Sequence, residues 1–264
     1  EERDPSIQNL LVDGELAASR ILAVIVNVLR FLLWKVSGLA MLLERQLPTP
    51  RVTLAGDRSI ENTWIAAEMP RGPGKALDFG TGNSHLWLIA ARRGYEVLGV
   101  DLRDPIWFYS HPRLNFVRGD IGNLDLDPAS FDLILNCSSV EHVGLVGRYG
   151  VAKSRPDGDL EVMGLLRRLI RPDGIMLLTI PVGRDAVFQP LHRVYGEERL
   201  PRLLDEWEIV KEEYWGKDSR NIWTAVEKAD AVQRVPEAEL YGLGCYVLRP
   251  RTEQRPVVAA KLTT

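Results

Sequence analysis

Lys75-Ala-Leu-Asp78-Phe-Gly80-Thr81-Gly82-Asn83-Ser84-His85 opens as an apolar strand, turns on a glycine pair and runs into a helix that starts near His85. Glycine is required in such a turn because the backbone must bend tightly and let a ligand lie against the N–H groups of the helix N-terminus. Many strand-to-helix turns carry a glycine pair, so the neighbouring sequence has to say what the ligand is.

Downstream, short apolar runs at residues 96–100, 114–118, 131–136 and 175–180 follow the first strand at 76–79, with helical stretches such as 85–93 and 160–170 between them. Strands that alternate with helices predict a parallel sheet covered on both faces. Two more runs, 207–214 and 244–248, close it. The expected fold is therefore α/β and Rossmann-like, with a seven-stranded, mostly parallel sheet and helices on both faces.

Residues 15–45 lack proline and are rich in Leu, Ile, Val and Ala, which predicts a long apolar N-terminal helix. Arg20, Asn27, Arg30, Ser37 and Glu44 share one narrow stripe of it, leaving a wide apolar face. Charges interrupt the run too often for a bilayer span, which needs roughly 20 largely uncharged residues. The face needs a partner: its own domain, a second copy in a homodimer, or a peripheral membrane surface, where Trp34 would suit the headgroup layer. Pro48 and Pro50 end the helix, dividing the chain into residues 1–50, a domain at 51–250 and a tail at 251–264.

The 264 residues include 33 basic and 36 acidic ones, a formal net charge of -3, which speaks against nucleic acid as a partner. No cationic start, apolar core and small-residue cleavage site opens the chain, so a cytoplasmic location is expected, with a peripheral contact falling on the inner face of the membrane. Cys137 and Cys245 lie far apart, as two buried thiols would, and suggest neither a disulfide nor a metal site.

Asp101 closes the second strand in Val97-Leu-Gly-Val-Asp101, followed by Leu102. An acid at that strand end can accept both ribose hydroxyls of a nucleoside. Nicotinamide dinucleotide and S-adenosylmethionine both satisfy this. The third glycine of the dinucleotide fingerprint would fall at His85, which disfavours a pyrophosphate.

Over residues 77–248 the sequence resembles the class I S-adenosylmethionine-dependent methyltransferases. Val117-Arg-Gly-Asp120-Ile121 is similar to the family's third-strand loop, Ser130-Phe-Asp-Leu-Ile-Leu-Asn136 to its fourth strand, and Leu166-Arg-Arg-Leu-Ile-Arg-Pro-Asp-Gly174 to the helix and turn before its fifth. The resemblance implies S-adenosyl-L-methionine as cofactor. Asp78, Gly80, Thr81, Gly82 and Asn83 would surround its methionine part, Asp101 with Leu102 its ribose, and Asp120 with Ile121 its adenine. Asn136 would face the methyl sulfonium.

Methyl transfer to a hydroxyl also requires a base. Ser138-Ser-Val-Glu141-His142 follows the fourth strand, where ligands gather in open α/β sheets. His142, with an ordinary pKa of about 6.5, is a candidate base, and Glu141 could orient it or act itself. Arg148, His192, Arg193 and Tyr195 are substrate-side candidates, the arginines suited to a phosphate or carboxylate. Glu141-His-Val-Gly144, Gly147-Arg-Tyr-Gly150 and His192-Arg-Val-Tyr195 together resemble a methyltransferase-like branch found beside sugar and cell-envelope genes. That implies a small-molecule or a glycan- or lipid-linked acceptor. Rival readings are a catalytically silent nucleoside-binding scaffold and an NAD(P)-dependent oxidoreductase.

Overall fold

In the computed structural model of the chain, residues 52–106, 109–147 and 149–251 are described, together with Val28, Leu32, Lys35 and Val36. Those four are helical and exposed. The rest of the helix expected over 15–45, its membrane or homodimer contact and the tail beyond 251 lie outside the described residues. The described residues from 52 to 251 belong to one compact unit. Among the described residues, no helix is long and apolar enough to cross a membrane.

The elements are α1 (Asp57–Glu68), β1 (Gly74–Phe79), α2 (Leu86–Arg92), β2 (Tyr95–Asp101), β3 (Leu114–Arg118), β4 (Phe131–Cys137), α3 (Gly158–Leu169), β5 (Ile170–Val182), β6 (Ala186–Phe188), β7 (His192–Val194), α4 (Arg199–Leu203), β8 (Trp207–Lys217), β9 (Trp223–Ala225), α5 (Lys228–Val232) and β10 (Gly242–Pro250). The main sheet has the order β3-β2-β1-β4-β5-β10-β8-β9. Its first five strands are parallel, and β10 pairs antiparallel with both β5 and β8.

The sheet thus has eight strands where seven were expected. The extra one, β9, is only three residues long and pairs antiparallel with β8 at Trp215–Lys217. A strand that short lies within a polar stretch and carries no alternation that the sequence could display. β6 and β7 form a separate two-stranded ribbon.

Continuous apolar runs such as Leu133–Leu135 and Met176–Leu178 are buried because helices cover both faces of the parallel strands. Alternate residues feed two cores. Leu77, Phe79, Ile134, Leu178 and Ile180 pack with α3 and Trp207 on one face, and Ala76, Leu133, Leu135 and Leu177 pack with Trp64, Ile65, Leu86 and Trp87 on the other. The chain moves from β1 outward to β3, then crosses back to β4. That reversal opens a crevice at the carboxyl ends of β1 and β4, where open α/β sheets bind ligands.

Candidate functional site

A cavity of about 860 Å³ runs along this carboxyl edge. Its walls include Gly80, Thr81, Gly82, Asn83, Asp101, Leu102, Asp120, Ile121 and His142, so most of the sequence-predicted donor residues and the candidate base share one space.

Gly80 and Gly82 both adopt positive φ, +73° and +54°, which a side chain rarely tolerates. A Cβ at Gly80 would also collide with the Ser139 hydroxyl. The turn is laced internally. Gly80 N–H donates to the Val100 carbonyl at 2.8 Å and Gly82 N–H to Asp101 Oδ2 at 2.8 Å. Asp101 Oδ1 accepts from Arg103 N–H at 2.9 Å, and Asn83 Oδ1 from Ile106 N–H at 2.9 Å. Each Asp101 oxygen keeps acceptor capacity beyond its one backbone bond.

Asp78 lies behind the turn rather than in the cavity wall. It is 2 % exposed, and its Oδ2 has no hydrogen-bond partner among the described residues. Burial, reinforced by the Asp101 charge, pushes its carboxyl up to about 7. Asp120 caps the short 3-10 helix Ile121–Asn123, accepting from Gly122 N–H at 3.0 Å, and its Oδ2 lies 3.8 Å from Arg155 Nη2.

Asn136 departs from expectation. It is fully buried, does not line the cavity, and accepts from Val140 N–H at 3.3 Å, tying the end of β4 to the 3-10 helix Val140–His142.

His142 reaches the cavity from that helix. Its Nδ1 donates to the Leu191 carbonyl at 2.6 Å, which leaves Nε2 as the proton-accepting nitrogen of the neutral ring. Glu141 Oε1 is 3.6 Å from Nε2. Glu141 itself is 2 % exposed and absent from the cavity wall, so it faces the cavity only through His142. The Tyr149 ring lies 5.5 Å from the imidazole, and the Arg103 guanidinium 4.7 Å above that tyrosine.

The substrate-side candidates fare differently. Arg148 lies outside the described residues. Arg193 is buried and committed to structure. Its nitrogens donate to the carbonyls of Glu141, Val143, Arg155 and Pro156, and its Nε lies 3.6 Å from Asp159. Tyr195 is fully buried and donates to Asp159 Oδ2 at 3.1 Å. His192 is buried among Phe188, Tyr241 and His142. None of the three lines the cavity. Arg193 and Tyr195 tie the β7 segment to the loops after β4 and to Asp159 of α3.

Sequence reading missed the contribution of α1, whose Arg58 and Asn62 line the cavity beside Cys137 and Ser138. Arg58 and Glu61, three residues apart on a helix, look like an ordinary surface ion pair, and nothing local says that Glu61 is buried. Among the described residues no cluster of His, Cys, Asp or Glu could hold a metal ion.

A family described as "Caenorhabditis protein of unknown function, DUF268" matches residues 123–238. YqeM of Bacillus subtilis (strain 168), a provisionally assigned methyltransferase, is 23% identical over 124 residues, 44% of this chain and 46% of that protein. The chain thus spans less than half the length of this relative. Among solved structures, the Burkholderia thailandensis 1,6-didemethyltoxoflavin-N1-methyltransferase, which has 1,6-didemethyltoxoflavin and S-adenosylhomocysteine bound, superposes with a TM-score of 0.52 at 22% identity, covering 75% of this chain and 79% of that one. An S-adenosylmethionine-dependent methyltransferase from Archaeoglobus fulgidus gives 0.51 at 15% identity, covering 73% and 94%. Strand order, crevice and these superpositions agree: the chain has the fold of the class I S-adenosylmethionine-dependent methyltransferases.

Proposed function

We propose that the protein is an S-adenosylmethionine-dependent methyltransferase acting on a hydroxyl of a small-molecule or a glycan- or lipid-linked acceptor. The observation that carries this reading is the shared cavity: glycine turn, Asp101, Asp120 and His142 on one wall system at the β1/β4 reversal. The residues fit the donor. Asp101 offers acceptor capacity to a ribose, Asp120 and Ile121 frame a slot for the adenine, and the orphaned oxygen of buried Asp78 suits a nearby cation.

The donor supplies an electrophilic methyl group, and the chain's own residues align the partners and move the acceptor proton. His142 Nε2 takes that proton, with Nδ1 locked on Leu191, and buried Glu141 stabilises the resulting imidazolium. Glu141 as the direct base is disfavoured by its absence from the cavity wall.

Release of S-adenosylhomocysteine over a panel of hydroxyl acceptors tests the activity, and a silent scaffold releases none. His142→Gln should lower turnover by about 100-fold or more while leaving S-adenosylhomocysteine affinity unchanged. Equal turnover in the two proteins would remove His142 from the reaction. A dinucleotide enzyme would instead be stabilised against heat by NAD or NADP and not by S-adenosylhomocysteine.

A further inference from the structure

Helix α1 carries a buried carboxylate that the chemistry above does not use. Glu61 is 1 % exposed and is met by three groups from three elements: Arg58 Nη1 of α1 at 2.9 Å, the Ser138 hydroxyl after β4, and Thr179 Oγ1 of β5 at 3.0 Å. A carboxylate removed from water costs several kcal/mol unless paired and hydrogen-bonded. Two of its three partners, Arg58 and Ser138, face the cavity.

The cluster engages only one of the guanidinium nitrogens. Nη1 bonds Glu61 and approaches Cys137 Sγ at 3.9 Å, whereas Nε and Nη2 have no hydrogen bond among the described residues. Those two nitrogens form one planar edge of the guanidinium, the geometry that grips a carboxylate with two parallel bonds. The side chain is 56 % exposed and lines the cavity.

The cavity needs such a group. A donor with an aminoacyl end brings an ammonium and a carboxylate. The glycine turn has little for the carboxylate, because the N–H groups of Gly80, Thr81, Gly82 and Ser84 are already bonded to Val100, Asp101 and Thr81, and Asp78 and Asp101 add negative charge. The other cavity arginines are placed elsewhere. Arg103 lies over Tyr149, and Arg155 pairs with Asp120 and with Glu161 at 3.2 Å. Arg168 sits beside the start of β4, where its carbonyl accepts from Ala129 N–H, at the opposite end of that strand from Ser138.

We propose that Arg58 receives the α-carboxylate of the methyl donor on its Nε–Nη2 edge, and that Glu61 is the positioning residue that aims it. The proposal rests on the donor assignment above, and ligand binding separates the two. S-Adenosylhomocysteine and 5′-methylthioadenosine share adenosine and thioether, but only the first has the carboxylate. Both are titrated calorimetrically into the full chain and its variants.

Arg58→Gln is expected to weaken S-adenosylhomocysteine about 10–100-fold, the loss of a charge-assisted pair, and to leave methylthioadenosine unchanged. Arg58→Lys should recover part of the loss. Glu61→Gln should weaken S-adenosylhomocysteine less than Arg58→Gln does, again without touching methylthioadenosine, and its melting temperature reports whether α1 still docks. Equal weakening of both ligands by Arg58→Gln would mean that the residue only packs the helix, and an unchanged S-adenosylhomocysteine affinity would assign the free edge to an acceptor anion. Either result overturns the proposal. If neither nucleoside binds the unaltered protein, it is the donor reading that fails.

Discussion

Asp78 shows how a single side chain trades stability for a site. Its carboxyl, ordinarily near 3.8, is raised to about 7 by burial and by Asp101. The folded state therefore holds the proton more tightly than the unfolded chain, and stability falls as pH rises from about 4 through about 7. Asp78→Asn removes the buried charge at no cost in volume. It should stabilise the ligand-free protein at pH 8 by on the order of 2–4 kcal/mol and do little at pH 4, as read from denaturant unfolding at both values. A gain of equal size at both pH values would show that the charge is not the cause. The position of Asp78 was legible because it ends an apolar strand just before two glycines. Its burial was not, since that depends on the flanking strands β2 and β4, paired at Gly99 and Leu135, which are remote in sequence.

At the scale of elements, the loops after β4 and β5 are stitched by a buried ionic knot. Arg193 of β7 reaches carbonyls of residues 141, 143, 155 and 156, and with Arg199 of α4 it closes on Asp159, the fully buried acid in the first turn of α3. Removing one partner strands the other in the core. Arg193→Met should cost about 3–5 kcal/mol of unfolding free energy, measured by urea titration. Protein that stays folded should bind S-adenosylhomocysteine as before, since the side chain does not reach the cavity. His192-Arg-Val-Tyr195 was readable as a polar cluster after the fifth strand, and polarity after a strand end suggests a ligand. What the sequence could not display is that β7 lies against Val140–His142 and α3, which converts that polarity into internal wiring. The glycine turn and Asp101 were readable as cavity residues from their places at strand ends, a local property, and Asp120 from the resemblance of its loop to the family's third-strand loop. Arg58 and Glu61 required knowing that α1 docks on β4 and β5, a non-local one.

Over the described domain, the eighth strand links its beginning to a hairpin far along the chain. Trp223 of β9 donates from Nε1 to the Ala55 carbonyl at 3.1 Å, and Asn221 Oδ1 accepts from Thr53 N–H at 3.1 Å, so the hairpin β8–β9 holds the lead-in to α1. Lys217 Nζ lies 5.5 Å from the Trp223 ring and donates to Asn221 at 2.8 Å, fixing the hairpin tip. Trp223→Ala should lower stability by about 1 kcal/mol, the worth of one such hydrogen bond, seen as a lower melting temperature. It should weaken S-adenosylhomocysteine more than methylthioadenosine, because Arg58 follows that lead-in directly.

These two hydrogen bonds each join residues 168 positions apart. Contacts so distant in sequence form late, because a long loop must close before they repay its entropy. During synthesis the segments carrying Asp101, Asp120 and His142 emerge well before the segment that seats α1. A growing chain would thus hold most of the proposed donor pocket yet leave α1 unseated until β10, through which the β8–β9 hairpin joins the sheet, has been made.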